Sequence, residues 1–253
     1  DDEAILPDPV MLVNGAGSFT ASLITAGSAW ITVSDNDLRS TSDEITVLPG
    51  TGTRLEGSTD TAATAGDAVS VSVTVKDDQN NVVTDYSGTI KISSSDKNAV
   101  LPDETTLING TGVFEVILKT SGSHTITAFD INESTLSGTV NTTVEHAPAA
   151  EFKITSNSQA VAGAPVSFTV TAYDAFGNLA SSYDKALSFT SSDVNAVLPS
   201  YGQMTNGTGT FEVTYKTSGS QSISVFDENI TKQSDAVSVS SAQAETLRAE
   251  APL

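Results

Sequence analysis

The sequence predicts an all-β chain made of tandem antiparallel β-sandwiches. Three observations predict it: a long internal repeat, a period-two alternation of apolar and polar residues, and turn-forming pairs between the alternating runs. Val, Ile, Thr and Ser recur in these runs and suit a pleated surface with one dry and one wet face. No stretch shows a sustained helical period with caps.

The repeat comes first because it sets the frame. AVLPDETTLINGTGVFEVILKTSGSHTITAFD, from Ala99 to Asp130, returns as AVLPSYGQMTNGTGTFEVTYKTSGSQSISVFD, from Ala196 to Asp227, an offset of 97 residues. The same offset relates Gly66 to Gly163, Tyr86 to Tyr183, Pro102 to Pro199, Phe114 to Phe211 and Gly122 to Gly219. AILPDPVMLVNGAGSFTASLITAGSAWITVSD, from Ala4 to Asp35, matches at an offset of 95 through Pro7, Gly15, Gly17, Phe19, Gly27 and Asp35. ETLRAEAPL, from Glu245 to Leu253, resembles the opening of a repeat at Glu151. Residues 1–49 therefore read as the second half of a repeat, and 50–147 and 148–242 as complete repeats. Residues 243–253 read as a linker with the first strand of a following repeat. Asp1, Asp2 and Glu3 read as the middle of a longer chain. HAPAAE at 146–151 and LPGTGT at 48–53 are linkers.

Each complete unit has the size of an immunoglobulin-like sandwich. Val69, Val71, Val73 and Val75 alternate with Ser70, Ser72 and Thr74, and Val166, Phe168, Val170 and Ala172 repeat that stripe. Phe114, Val116 and Leu118 form another, as do Phe211, Val213 and Tyr215. One apolar face at period two means antiparallel strands half in water. Seven strands are expected in the first complete unit, at 53–59, 68–76, 88–94, 104–108, 112–118, 124–130 and 137–145. Asp77–Asn81 and Asp174–Asn178 carry residues that tolerate left-handed backbone. Asn109-Gly110 and Asn206-Gly207 are hairpin signals, and Thr120-Ser121-Gly122-Ser123 marks a further tight turn. Stacked end to end, such units make a quasi-one-dimensional rod.

Composition excludes several functions. The formal net charge of −20 leaves no basic patch for nucleic acid, and suits partners that bring cations. Cys is absent, which removes disulfides, thiolate metal sites and Cys nucleophiles. No apolar run approaches the 18 or so residues of a membrane span. The two histidines, His124 and His146, sit at a strand position whose copy is Gln221 and in a linker, so nothing fixes a catalytic triad. No enzyme activity is expected.

YDAFGNLASSY, then SFTSSD, AVLP and KTSGSQSISVFD, give the chain a family likeness. It resembles the bacterial and archaeal immunoglobulin-like repeats of large surface proteins, including invasin- and intimin-type adhesin stalks and surface-layer-like repeat proteins. The resemblance covers nearly all of the chain. It implies an extracellular, cell-surface setting and brings no catalytic residues with it. The expected function is a structural repeat segment of a surface assembly, whether adhesin stalk, surface layer or filament. A carbohydrate- or protein-binding accessory module of a secreted protein is the alternative, because such modules serve as spacers for unrelated tips.

The candidate sites follow from strand direction. The loops at 77–81, 109–112 and 130–136 should share the end that faces the preceding repeat. Asp77, Asp78, Asn80, Asp130 and Asn132, with Asp174, Asn178 and Asp227 in the next repeat, are candidate calcium ligands, since Ca²⁺ takes six to eight hard oxygens. Their other role is turn formation. No cofactor is required; calcium is the one candidate. Five sequons, at Asn109, Asn132, Asn141, Asn206 and Asn229, are candidate glycosylation sites. Trp30 aligns with Thr125 and Ser222 at outward positions, with Ile31 and Val33 inward, and marks a candidate interface. Phe19 and Leu23 join it, because residues 1–48 supply about four strands whose apolar face lacks an opposing sheet. Neighbouring repeats, or other copies of the chain joined head to tail with 245–253 lending a strand, are the expected partners.

Overall fold

Val69, Val71, Val73 and Val75 point one way along a nine-residue strand, and that face is where the chain builds its first core. All four are buried. The computed structural model describes residues 1–243, and the expected first strand of a following repeat, at 245–253, lies outside the described residues. Among the described residues every regular element is a strand and none is a helix, so the protein is all-β. Two compact units are present. The first takes in Asp1–Ala63, Asp67–Leu118 and Gly122–Thr143; the second takes in Thr64–Gly66, Lys119–Ser121 and the described residues from Val144 onward.

Around the first core, Ala68–Lys76 is the central strand of an antiparallel sheet between Arg54–Ser58 and Thr111–Ile117. The register places Phe114 opposite Val71 and Val116 opposite Val69, so the apolar faces coincide. A second sheet runs in the order Ala62–Thr64, Ser137–Glu145, Gly122–Asp130, Thr89–Ser94, Thr105–Thr106. Ile90, Ile92, Ile126 and Ala128 are its buried contribution. The seven expected strands are all present. The short strand Ala62–Thr64 is additional, and the strand expected at 104–108 shrinks to Thr105–Thr106.

The second unit repeats the plan with a more aromatic core. Pro165–Asp174 lies between Ala149–Ser156 and Thr208–Thr214. Phe168, Phe189 and Phe211 pack as a triad, with 5.0 Å between the Phe189 and Phe211 ring centroids. Phe152 meets Tyr183 edge to face at 5.5 Å. Phe152 and Phe168, the fully buried rings, contribute roughly 1.5–3 kcal/mol each through burial. Gln159–Val161 pairs in parallel with Val237–Ser240.

One reading from the sequence is corrected here. Ser222 does not face outward but is buried. The strand breaks at Ser222, between Gly219–Gln221 and Ile223–Phe226, and the break turns its hydroxyl to Gln233 and its N–H to Ser192 Oγ.

Residues 1–48 hold four short strands in two separate pairs, Gly27–Ala29 with Ile45–Val47 and Thr32–Ser34 with Arg39–Thr41. The stretch 16–22 aligns with Thr111–Ile117 but forms no strand, because nothing equivalent to Ala68–Lys76 lies beside it. Ala29 is buried, whereas Val33, expected inward, is 48% exposed for the same reason.

Candidate functional site

The side chains that do most in these repeats are an Asp and the Asn four residues after it. A strand that ends in Asp-x-x-x-Asn must reverse, and Asp accepts N–H groups from the turn it opens. Asp77 Oδ1 takes the N–H groups of Gln79 (2.9 Å) and Asn81 (2.8 Å). Its Oδ2 takes Asn81 Nδ2 (3.0 Å) and the Gly50 N–H of the linker (2.7 Å). Asp174 does the same with Phe176 and Asn178, with Asn178 Nδ2 (2.8 Å) and with the Ala147 N–H of the next linker (2.9 Å). Both carboxylates are 3% exposed. Burial pushes each carboxyl up, but the amide hydrogen bonds outweigh it and hold both below the usual carboxylate range.

The Asn carboxamide is then aimed outward from its turn. In the first unit Asn81 Nδ2 donates to Ile24 O (2.9 Å) and Asn81 Oδ1 accepts from Ala26 N–H (2.8 Å). In the second unit Asn178 Nδ2 donates to Lys119 O (2.8 Å) and Asn178 Oδ1 accepts from Ser121 N–H (2.9 Å). The pairing fixes which end is oxygen, since a backbone N–H can only donate and a carbonyl only accept. Ile24–Ala26 and Lys119–Ser121 are aligned copies of one turn. A plug and a socket therefore recur with the same four atoms.

The socket is itself held by an Asp. Asp1 Oδ2 accepts the N–H groups of Ile24 (2.6 Å) and Thr25 (3.1 Å), and Thr25 Oγ1 donates to Asp1 Oδ1 (2.8 Å). Asp193 treats Lys216 (2.6 Å), Thr217 (2.9 Å) and Thr217 Oγ1 (2.9 Å) in the same way. Burial pushes the Asp193 carboxyl up, but the bonds from Thr217 and Lys216 prevail and bring it down to about 2. Asp96 occupies the aligned position.

The remaining candidate calcium ligands are spread over other tasks. Asp78 is exposed. Asn80 adopts φ 67° and its Oδ1 accepts from Arg54 Nη2 at 2.5 Å. Asp130 accepts the N–H groups of Asn132 and Glu133 on one oxygen and the Tyr86 hydroxyl (2.6 Å) on the other. Asp227 mirrors it with Asn229, Ile230 and Tyr183 (2.6 Å). Among the described residues no three acidic or His side chains converge as a metal-holding group. Tyr86 links two of these loops: Gly110 N–H donates to Tyr86 O, and the Tyr86 hydroxyl donates to Asp130. Asn132, the other ligand named there, has an exposed side chain.

All five sequon asparagines, Asn109, Asn132, Asn141, Asn206 and Asn229, are exposed. Trp30 is 57% and Phe19 42% exposed, and Leu23 is half-buried. An open cleft of about 290 Å³ lies beside Tyr183 and Lys185. It is lined by Asp184, Lys185 and Asp227, with Lys185 Nζ 4.0 Å from Asp227 Oδ2 and 5.8 Å from the Tyr183 ring centroid.

Sequence reasoning placed Asp77, Asp174 and Asn178 at this end but read them as ligands. It counted Asn81 only among the oxygen-bearing residues of the same loop, and gave Asp1 and Asp193 no site role. The signal was present: Asp1, Asp96 and Asp193 recur at the repeat offsets, each 23 residues before a matching turn residue, Ile24, Lys119 and Lys216.

No protein-family model matches the chain. No curated protein matches it. Among solved structures it is similar to the Escherichia coli adhesin FdeC, at 15% identity over 84% of this chain and 74% of that one, with a TM-score of 0.45. It is similar to invasin, described as a bacterial integrin-binding protein, at 16% identity over 90% and 48% of the two chains, with a TM-score of 0.42. It is also similar to domains 4–9 of the surface-layer protein SbsC, at 20% identity over 86% and 35%, with a TM-score of 0.32. Bacterial adhesins and a surface-layer protein are the kinds of protein that the sequence resembles.

Proposed function

We propose that this chain is a structural repeat segment of an extracellular cell-surface assembly. The observation that carries it is the plug and socket. The Asn81 and Asn178 carboxamides each bind the backbone of a repeat-derived turn through both of their polar atoms. Buried polar groups spent in this way specify one geometry rather than perform chemistry. A strongly acidic surface keeps such a segment soluble and discourages lateral association with its own kind.

Labelling intact source cells with an antibody to the purified chain tests this. Surface label is the expected result, and label confined to broken cells overturns it. Electron microscopy of the native material then separates stalk, lattice and filament. A second reading, as a carbohydrate- or protein-binding module, is favoured by Trp30 alone, an exposed indole of the sort that anchors contacts. Trp30→Ala abolishing cell or glycan binding with the melting temperature unchanged would support that reading.

A further inference from the structure

The repeat carries the socket a third time. Lys216, Thr217 and Ser218 align with Lys119, Thr120 and Ser121 and with Ile24, Thr25 and Ala26. Asp193 already holds this turn by three hydrogen bonds, as Asp1 holds Ile24 and Thr25, so its backbone is set before any partner arrives. Two of the three residues in each filled socket are half-buried, Ile24 and Ala26 in one and Lys119 and Thr120 in the other, while Thr25 and Ser121 are exposed. Lys216, Thr217 and Ser218 are all exposed. Among the described residues the Lys216 carbonyl and the Ser218 N–H, counterparts of the groups that receive Asn81 and Asn178, have no partner.

We infer that the Lys216–Ser218 turn is an open docking surface whose partner is the Asp-x-x-x-Asn turn of another repeat of this type. The occupant is identified by complementarity. A donor and an acceptor at this spacing are met by one carboxamide, and both other copies of the turn are met by an Asn held from behind by an Asp four residues earlier. Both plugs in this chain are engaged. The partner is therefore a further repeat, in a longer chain or in a separate one. Preorganisation on both sides reduces the ordering cost of docking. This deepens the proposed structural role and rests on its premise that repeats stack.

The test extends the full chain. A copy of residues 160–242 is joined after Leu253, so that 245–253 stands in for 151–159 and the added repeat brings its own counterpart of Asn178. Amide hydrogen exchange of Ser218 is compared with and without the extension, and Ser121 in the same sample serves as the filled reference. The expected result is that extension slows Ser218 exchange by about tenfold or more, towards Ser121. Asn→Ala at the added counterpart of Asn178 should restore fast exchange at Ser218 while Ser121 stays slow. Folding of the added repeat is verified by the slow exchange of its own counterpart of Val170. A folded extension that leaves Ser218 as fast as before overturns the inference, as does Ser218 protection that survives the Asn→Ala change. Either result is separable from failure of the surface role, which the labelling of intact cells decides independently.

Discussion

Asn178 is 8% exposed, and its carboxamide holds Lys119 O, Ser121 N–H and the Asp174 carboxylate at once. Replacing it by Ala removes one of the two donors to Asp174 Oδ2, which keeps the Ala147 N–H, and takes the carboxamide away from Lys119 O and the Ser121 N–H. We expect Asn178→Ala to cost about 1–3 kcal/mol, read as a lower denaturant midpoint at unchanged slope. Asn81→Ala should cost less, since Asn81 is only half-buried. The acids of this network give the pH dependence a definite sign. Asp77, Asp130, Asp174, Asp193 and Asp227 all have folded-state pKa values below their ordinary value. A depressed carboxylate contributes stability above its unfolded pKa of about 3.9 and loses it as pH falls through the lower folded value. The melting temperature should stay level from neutral pH to about pH 5, and fall steeply below about pH 4. Tyr86 and Tyr183 work at the other end. Burial, and the Asp130 and Asp227 carboxylates they donate to, push both phenols up. Their contribution is present below about pH 10 and is lost as pH rises through the raised values. At this scale the sequence was legible for residue type and illegible for partner. An Asp in a turn announces an N–H acceptor, whereas the Asn178 contacts span 57 and 59 positions of chain and follow only from the fold.

Among the elements, the hairpins were the most legible. Asn109 and Gly110 have φ 52° and 70°, and Asn206 and Gly207 have φ 50° and 74°, the left-handed pair that a two-residue hairpin needs. The same pair at Asn14 and Gly15 forms its turn even where no flanking sheet exists, which marks it as local chemistry. A Cβ on Gly110 would lie 2.2 Å from Val83 O, so φ and space both forbid one. Gly122 has φ 117° with nothing within 4 Å of its missing Cβ. Gly110→Ala should therefore destabilise more than Gly122→Ala, whose cost is backbone strain alone at about 1–3 kcal/mol. Equal effects in thermal melts would mean that contact adds nothing to φ. The strands of 1–48 were less legible. Period-two patterning marks which residues would face a sheet, but not whether a sheet is there to receive them, and Val33 is exposed for that reason.

Across the whole molecule, the net charge of −20 and the clusters of Asp and Asn at turns invite a calcium reading. The arrangement of donors argues differently. Cation sites point bare oxygens at a common centre. Here Asp77, Asp130, Asp174 and Asp227 each give both oxygens to N–H or O–H groups. An ion entering there would meet the positive ends of amide dipoles and would have to break the turns that present the acids. Screening of self-repulsion remains, and it depends on ionic strength rather than on the identity of the ion. Transfer from EDTA into millimolar calcium should therefore raise the melting temperature no more than magnesium at the same concentration does. Sodium chloride at matched ionic strength should reproduce most of the shift. A calcium-specific rise of several degrees that saturates at a fixed stoichiometry would instead require these carboxylates to exchange their amide donors for the ion. It would then tie the stiffness of the repeats to the calcium content of the medium, and that link can be checked directly by repeating the Ser121 amide exchange with and without calcium.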